Sequence, residues 1–320
     1  MIAKLITKLF NLKRRYILAK FHKIIPNTLS FNLEESDDLT ISVLCGHNSV
    51  DMALAMLKSL YRFLSKKYPI EIHDDGSLTT KDCERISKSF KGIRIILRKE
   101  ADDYMLKKLT DLNLVKVLEF RKKNNINLQL TDLSSFCKTK YCLQIDTDIL
   151  FFSKPYFLDD FFLTGLIKKE PKSSLYNLDR GRAYAYRDED IKMVIDEMPL
   201  QFNAGLVIYP VDDKLLVEVN SILEKRLVSL DSHTESQTLQ AIALNKIGIC
   251  YPMNETVDVV FRTLEMNNKY NMTDYSKLTS QHYCSWARNL YYLDYIEKIH
   301  PFIKKDSPYR TYFHNMIKSN

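Results

Sequence analysis

Short apolar runs and stretches of helical spacing alternate along the first third of the chain. The β-branched and apolar runs predict strands over Thr40–Cys45, Pro69–Ile72 and Gly92–Leu97. Apolar residues at helical spacing predict helices over Val50–Phe63 and Thr79–Phe90. Thr79 is the predicted N-cap of the second helix, with Asp82 at its third helical position. A strand–helix order repeated in this way is typical of right-handed βαβ units and predicts a parallel sheet.

The pattern continues less regularly in the rest of the chain. Residues 101–140 are predicted to be helical. Further strands are predicted over Tyr141–Ile145, Gly205–Tyr209 (ended by Pro210) and Leu278–Ser285, and further helices over Lys214–Leu230 and Thr234–Asn245. Thr234 and Gln237 have the spacing of a capping box. The charged, irregular segment Leu175–Pro199 predicts a mobile loop.

The N-terminus, MIAKLITKLFNLKRRYILAKFHKIIP, predicts a basic amphipathic helix within residues 1–30. Its predicted apolar side is formed by Ile2, Leu5, Ile6, Leu9, Leu12 and Tyr16, and its basic side by Lys4, Lys8, Arg14 and Arg15. Such a helix binds an anionic membrane surface, or it docks on its own domain, and the sequence leaves both interpretations open. We expect a main domain over residues 31–300 and a basic tail over residues 301–320.

Composition narrows the class of protein. The chain has 320 residues, 45% of them hydrophobic, and a net charge of +7, which favours anionic partners. The sequence has no basic run interleaved with aromatic residues and no zinc-finger spacing of cysteines and histidines, so we expect no nucleic-acid partner. The six cysteines form no Cys-x-x-Cys pair, which favours reduced thiols in a cytoplasmic protein, at most peripheral on the inner face of the membrane. We also expect neither a membrane span nor a signal peptide.

Two carboxylates one residue apart, Asp146 and Asp148, follow the apolar run at Tyr141–Ile145. Alternate residues of an extended chain point the same way, so both acids share a face. At a strand end they can converge on a hard divalent cation, which can hold a diphosphate leaving group.

Two other predicted strands end in polar residues. One is followed by Cys45-Gly46-His47-Asn48 and the other by His73-Asp74-Asp75-Gly76-Ser77. Ligands of open parallel sheets bind beyond the carboxyl ends of the strands, so all three clusters are expected at one edge. Beside the acidic pair, Asp74 and Asp75 are interpreted as contacts for a base or a ribose; alone, they would be ordinary turn residues.

Four later residues complete the candidate site. Asn203 precedes a predicted strand next to two small residues and could hold a sugar hydroxyl. His282 could complete a carboxylate-rich Mn²⁺ site, and Arg288 could bind phosphate. Glu235 begins a helix, where it either interacts with the helix dipole or contacts a transferred sugar or acceptor.

Taken in order, these segments resemble a GT-A-fold glycosyltransferase with an Asp-x-Asp motif. The matching segments are HDDGS (73–77), LQIDTDILFFSKP (143–155), QFNAGLVIY (201–209), TESQTLQAIA (234–243) and HYCSWAR (282–288). The resemblance implies a Rossmann-like α/β fold with a mixed, mainly parallel sheet flanked by helices. It also implies a nucleotide-sugar donor, with a UDP-sugar expected, and bound Mn²⁺ or Mg²⁺.

The resemblance also implies a role for each site residue. Metal ligands would be Asp146, Asp148 and His282, with Asp146 also reaching the ribose. Asp74 and Asp75 would lie near the nucleotide, Arg288 would contact its phosphate, and Asn203 would contact the donor sugar. Glu235 is the second catalytic candidate, if it contacts the sugar or acceptor and does not serve the helix dipole alone. The acceptor would be a glycan, a lipid-linked saccharide or a protein.

One departure and two alternatives accompany this resemblance. Glycogenin-like members of the family carry Lys-Pro-Trp after the late histidine, whereas this chain has Ala287-Arg288-Asn289, so retention or inversion at the anomeric carbon stays open. A haloacid-dehalogenase-type phosphatase also uses Asp-x-Asp, but usually near the chain start. A non-catalytic saccharide-binding protein on the same fold is the other alternative.

Overall fold

The computed structural model describes residues 2–155, 157–158, 170–178, 201–225, 234–253, 257–260, 275, 278–284 and 287–305. For residues 2–10 and 257–260 it describes the backbone alone. The strands are β1 (Phe31–Asn32), β2 (Leu39–Cys45), β3 (Ile70–Asp74), β4 (Phe90–Lys91), β5 (Arg94–Ile96), β6 (Tyr141–Ile145), β7 (Ile149–Phe151), β8 (Ser174–Leu178), β9 (Phe202–Pro210), β10 (Cys250–Pro252), β11 (Val257–Val260) and β12 (Ser280–Tyr283). The helices are α1 (Ile2–Ile24), α2 (Val50–Tyr61), α3 (Thr80–Ser89), α4 (Arg98–Asp111), α5 (Val115–Lys123), α6 (Leu128–Thr131), α7 (Lys214–Glu224), α8 (Glu235–Ile247), α9 (Arg288–Asp294) and α10 (His300–Ile303).

A seven-stranded sheet in the order β10-β8-β9-β6-β2-β3-β5 forms the centre of the molecule. The neighbours β6, β2, β3 and β5 are parallel, as the alternating pattern predicts. Strand β9 runs antiparallel to both β6 and β8, and β8 is parallel to β10. The predicted mixed, mainly parallel sheet flanked by helices is therefore confirmed. Strands β2, β3 and β6 are buried along nearly their whole length because helices cover both faces.

A smaller, three-stranded sheet adjoins the segment that contains Asp146 and Asp148. Strand β7 pairs antiparallel with β12, which pairs in parallel with β11. Three residues, Asp146–Asp148, separate β6 from β7, and the two strands belong to different sheets, so this segment is where the chain crosses from one sheet to the other. A third, two-stranded sheet joins β1 to β4.

Two apolar cores lie on the two faces of the central sheet. One contains α2, the end of α1, α9 and the inner face of β2. The other packs α4, α5, α7 and α8 against residues such as Cys142, Val207 and Tyr209 on the opposite face. The N-cap prediction for α3 is confirmed: the Asp82 amide donates to Thr79 Oγ1 at 3.2 Å, and the Thr79 amide donates to Asp82 Oδ2 at 3.0 Å.

Several boundaries differ from the predicted ones for local reasons. The helical prediction over residues 101–140 divides into α4, α5, α6 and short 3₁₀ turns, because Asn113 adopts a left-handed φ of 55° that ends the first helix. Strand β9 includes Pro210, which the sequence predicted as its stop. Within Leu175–Pro199, residues up to Leu178 form strand β8, and the predicted loop otherwise lies outside the described residues. For α7, residues beyond Lys225 in the predicted range lie outside them as well.

Helix α1 docks on its own domain through its second half. Ile17 and Phe21 are buried, whereas Leu12 is 53% exposed and Tyr16 is 68% exposed. Leu12 and Tyr16 of the predicted apolar side therefore take no part in this docking, which uses residues further along the chain. None of the described helices is long and apolar enough to cross a membrane. All six cysteines are free thiols.

Candidate metal centre

The acidic pair is fixed by backbone hydrogen bonds to two different sheets. The Asp146 amide donates to the Gly205 carbonyl at 2.7 Å, which continues the pairing of β6 with β9. The Asp148 carbonyl accepts from the Tyr283 amide at 2.8 Å, which continues the pairing of β7 with β12. The two carboxylates are thus held where the central and the small sheet meet.

His282 lies in the middle of β12, opposite Ile149, and its imidazole faces both carboxylates. Its Nε2 lies 3.1 Å from Asp148 Oδ1 and 3.6 Å from Asp146 Oδ2. One ligand atom from each of the three residues lies within 4.8 Å of the others. The structure therefore brings together the three metal ligands proposed from the sequence.

Asn203 sets the orientation of the imidazole. Its Oδ1 accepts from the Gly205 amide at 2.9 Å and lies 3.2 Å from His282 Nδ1. A backbone N–H can only donate, so the side-chain atom that meets it is the carbonyl oxygen, and Nδ1 must then carry a hydrogen. The neutral imidazole consequently has its lone pair on Nε2, which is the atom aimed at the carboxylates. Outer hydrogen bonds of this kind orient histidine ligands in metal sites.

Gly205 makes room for this arrangement. A Cβ at this position would lie 2.4 Å from His282 Cε1 and 2.8 Å from Asn203 Oδ1. The backbone of β9 can therefore approach the imidazole only because residue 205 lacks a side chain. Gly205 is one of the two small residues noted beside Asn203 in the sequence, and the space that it leaves is occupied by His282.

Charge in the cluster is balanced by protons and by one arginine. Burial raises the pKa of Asp146 to about 6, with His282 opposing and Asp148 adding to the increase. Burial also acts to raise the pKa of Asp148, but the charge and hydrogen bond of His282 bring it below its ordinary value. Burial acts to lower the pKa of His282, but the charge and hydrogen bond of Asp148, together with Cys284, raise it well above its ordinary value. A divalent cation would take the place of the imidazolium proton.

The donor set fits a hard or borderline cation. Two carboxylates and one neutral imidazole match the preferences of Mn²⁺ better than those of a soft metal, and the set leaves coordination positions for ligand oxygens. Gln129 of α6 adds a contact that the sequence did not indicate, because its Nε2 donates to Asp146 Oδ1 at 2.5 Å. No local motif marks this glutamine; only the packing of α6 against the strand end brings it there.

Arg288 borders the cluster on the solvent side. Its Nε and Nη2 each lie 3.4 Å from Asp148 Oδ2, and its side chain is 56% exposed. A guanidinium held loosely at the edge of an acidic cluster can turn towards an incoming phosphate. Its position is compatible with the phosphate contact proposed from the sequence.

The second acidic pair occupies the neighbouring strand end. Asp74 Oδ1 accepts from the amides of Gly76 and Leu78 at 2.8 and 3.0 Å, and Asp74 Oδ2 accepts from the Arg98 amide at 3.3 Å. This buried carboxylate therefore shapes the turn, which is the alternative that the sequence offered to a ligand contact. Asp75 is more exposed, so it is the better placed of the two for a ligand.

The polar ends of β2 and β3 meet as the topology predicts. The His47 amide donates to Ser77 Oγ at 2.8 Å. The side chain of Asp75 lies over Gly46, where a Cβ would come 2.1 Å from its Oδ2. Asn125, four residues before Gln129, donates to the Asp75 carbonyl at 2.8 Å. The segment containing Asn125 and Gln129 therefore spans from the Asp75 turn to Asp146.

Glu235 is buried as the first residue of α8. The predicted capping box was wrong here: the Thr234 side chain makes no cap, and Gln237 Oε1 instead accepts from the Ala204 amide at 3.0 Å. This bond ties the first turn of α8 to β9 beside Asn203. Glu235 is thereby held on the helix that backs this strand.

Comparisons with known proteins agree with the architecture. The structure is similar to the galactosyltransferase LgtC in complex with donor and acceptor sugar analogues, with a TM-score of 0.50 and 14% identity over 88% of this chain and 95% of that one. The fold is that of the GT-A glycosyltransferases. The fold prediction is thus confirmed, and at this identity the likeness speaks for the fold alone.

Two other solved structures are similar to a lesser degree. Mouse xyloside xylosyltransferase 1, in its apo form, has a TM-score of 0.49 and 12% identity over 78% of this chain and 97% of its own. Core-mannan synthase A of Aspergillus fumigatus, in a Mn/GDP form, has a TM-score of 0.45 and 10% identity over 68% of this chain and 73% of its own. The sequence matches no protein-family model and no curated protein.

Proposed function

We propose that this protein is a metal-dependent glycosyltransferase that moves a sugar from a nucleotide-sugar donor to an acceptor. The observation that carries the proposal is the convergence of Asp146, Asp148 and His282 Nε2 at the carboxyl end of β6. Ligands of open α/β sheets bind at such edges. The similar fold of LgtC, a galactosyltransferase solved with donor and acceptor sugar analogues, supports the same assignment.

Each group in the site has a distinct task under this proposal. Asp146, Asp148 and His282 would hold Mn²⁺ or Mg²⁺, and the metal supplies a Lewis acid that stabilises the diphosphate leaving group. Asn203 keeps Nε2 of His282 free of a proton when the ion is bound. Arg288 turns from Asp148 to the departing phosphate.

The nucleotide and the sugar occupy opposite sides of the acidic pair in this proposal. Asp75, at the end of β3, accepts hydrogen bonds from the base or ribose of a UDP-sugar. Glu235, behind β9, positions the transferred sugar or the acceptor hydroxyl. The acceptor is a glycan, a lipid-linked saccharide or a protein.

The decisive experiment replaces Asp148 with asparagine. Asp148→Asn keeps the shape of the side chain but removes a charge from a site for a hard cation. We therefore expect loss of Mn²⁺-dependent UDP-sugar binding. Donor turnover should drop by about two orders of magnitude or more, which is the usual loss when a group that stabilises transition-state charge is removed. Titration calorimetry measures binding, and donor hydrolysis with and without Mn²⁺ measures turnover.

The matched control is Asp38→Asn, which removes a half-exposed carboxylate paired with Lys66 and Lys140. Asp38 directly precedes β2, at the end of that strand opposite to the site. This variant should bind and turn over donor like the wild type. Full turnover by Asp148→Asn would overturn the proposal. A phosphoaspartate trapped on Asp146 from a phosphorylated substrate would instead identify a phosphatase.

We further propose that the protein works in the cytoplasm at the inner face of an anionic membrane, through α1. Lys13, Arg14 and Arg15 are exposed on this helix beside the exposed Leu12 and Tyr16. Basic residues contribute about 1 kcal/mol each to attraction by such a surface.

Point substitutions test this location better than truncation, since Ile17 and Phe21 belong to the core. We expect Arg14→Glu combined with Arg15→Glu to abolish sedimentation with anionic liposomes while thermal stability stays unchanged. Equal sedimentation of variant and wild type would count against the membrane role.

A further inference from the structure

A second polar cavity lies apart from the metal centre. It has a volume of about 220 Å³ and is bounded by the segment that follows α1, by residues of α2 and of the end of α3, and by Lys305. Its polar lining consists of Thr28, Ser30, Lys58, Arg85, Lys88 and Lys305, with Ser89 beside them. Helix α2 begins at Val50, at the edge of the sheet that holds the metal centre. Lys58 lies about 12 Å from Val50 along the helix axis, at about 1.5 Å per residue. None of the metal-centre residues lines this cavity.

Lys58 is the unusual member of this set because it is a lysine on a helix that is buried nearly all round. Its exposed fraction is 1%. The ammonium donates to Thr28 Oγ1 at 2.7 Å, and that hydroxyl in turn donates to the Ile25 carbonyl at 2.6 Å. Among the described residues, no carboxylate lies within salt-bridge distance of Lys58. An ammonium has three hydrogens to donate, so a buried lysine with one neutral partner is incompletely satisfied.

The remaining charges around the cavity leave a surplus of cations. Arg85 is paired with Asp51 and lies 3.8 Å from Asp82, and Lys88 lies 4.0 Å from Glu84. These carboxylates therefore face the cations of α3. Lys305, like Lys58, has no carboxylate partner among the described residues.

Lys58 and Lys305 interact with each other across the cavity. Burial lowers the pKa of Lys58 to about 8, and the positive charge of Lys305 lowers it further, while Asp51 opposes both. Two cations that repel each other across a cavity are stabilised by an anion between them. The hydroxyls of Thr28, Ser30 and Ser89 provide further donors on the same wall.

We propose that this cavity is a binding site for a phosphate group, with the Lys58 ammonium at its base and the Lys305 ammonium at its mouth. A phosphate monoester presents three oxygens in different directions, which suits two separate ammonium groups and hydroxyl donors better than a planar carboxylate does. Lysine binds phosphate as a point charge, without the planar geometry that arginine requires. The phosphate can belong to a soluble ester or to a lipid headgroup. This inference does not depend on the proposed glycosyltransferase activity.

Calorimetric titration of the whole chain with glycerol phosphate tests the soluble source. We expect saturable binding by the wild type that is about tenfold or more weaker in Lys305→Gln and in Lys58→Met, because each loses one charge-assisted contact. Lys305 is exposed, so its replacement leaves the core intact and decides the question even if Lys58→Met is unstable. Lys91→Gln, an exposed lysine outside the cavity, is the matched control and should bind like the wild type.

Vesicles test the headgroup source. Phosphatidic acid in phosphatidylcholine presents a phosphate monoester, whereas phosphatidylserine at equal surface charge does not. If the ligand is a headgroup, Lys305→Gln should lose binding to phosphatidic acid vesicles about tenfold more than Lys91→Gln does and show no such difference on phosphatidylserine. The expected loss of binding in either experiment, with glycerol phosphate or with phosphatidic acid vesicles, supports the phosphate site. If Lys305→Gln and Lys91→Gln behave alike in both arms, or if potassium chloride at equal ionic strength reproduces the effect of glycerol phosphate, the proposal is overturned.

Discussion

Replacing Gly205 by alanine should disable the metal centre from a residue that touches no metal. The new Cβ would lie 2.4 Å from Cε1 and 2.7 Å from Nδ1 of His282. Strand β9 is paired on both sides, with β6 and with β8, so its backbone cannot retreat easily. The imidazole must therefore move instead.

The size of that movement follows from ordinary contact distances. Carbon atoms pack at about 3.5–4.0 Å, so the ring has to shift by about 1 Å or more. Metal–ligand distances tolerate only about 0.2 Å, and the shift also breaks the bond from Nδ1 to Asn203. Loss of an outer hydrogen bond to a ligand typically costs about 10–100-fold in metal affinity, and overpacking costs about 1–3 kcal/mol in folding stability.

The assay separates these two effects. Mn²⁺ affinity is measured by calorimetry on the folded protein, and stability by urea denaturation without metal. Gly248→Ala is the matched control, because a Cβ there meets the Lys172 carbonyl at 2.0 Å and no residue of the metal centre. Both variants should be destabilised, but only Gly205→Ala should lose Mn²⁺ affinity by about 10–100-fold. Unchanged Mn²⁺ affinity in Gly205→Ala would refute the assignment of His282 as a ligand.

Two further predictions concern stability. Burial acts to raise the pKa of Asp82, but hydrogen bonds from Thr79 and His47 lower it from 3.8 to about 2. The ionised carboxylate that caps α3 therefore stabilises the folded state above pH 3.8, and this stabilisation is lost as the pH falls to about 2. Asp82→Asn should therefore cost about 1 kcal/mol in urea denaturation at neutral pH and less at acidic pH; an equal cost at both would contradict this. Arg121 makes paired bonds of 2.8 and 2.7 Å to the buried Asp132, so Arg121→Met should cost about 3–5 kcal/mol by leaving that charge unpaired, and adding Asp132→Leu should restore much of the loss.

The parts of the fold that follow local rules could be predicted from the sequence. Strands β2, β3 and β6 are short apolar runs, helix α3 between β3 and β5 has a clear N-cap, and parallel strands place their carboxyl ends at one edge. The meeting of the Gly46 and Asp75 turns, and the nearby position of Asp146, follow from that topology alone. His282 lies 134 residues after Asp148 in numbering, and the resemblance to a known family, rather than any local pattern, brought it into the site.

The parts that the sequence missed depend on packing between distant segments. Gln129 reaches Asp146 because α6 packs at the strand end, and nothing in its neighbours marks it. Gln237 has the spacing of a capping residue, but its Oε1 accepts a hydrogen bond from the Ala204 amide near the start of β9 instead. In α1, the apolar pattern does not show which residues are buried, because this depends on contacts with α9, where Tyr291 packs against Phe21.

The way the site is assembled links metal binding to the pairing of the two sheets. Asp146 is fixed to the central sheet through Gly205, whereas Asp148 and His282 are fixed to the small sheet through β12. Without a cation, it is the imidazole of His282 that links the two sides of this junction: its Nε2 lies 3.6 Å from Asp146 Oδ2, and its Nδ1 lies 3.2 Å from Asn203 Oδ1. A divalent ion would replace the imidazolium proton with a charge shared by both sheets, and ligands that bind only the native state stabilise it. The residues that would hold the ion therefore also have a structural role, because they lie on both sides of the junction between the central sheet and β12.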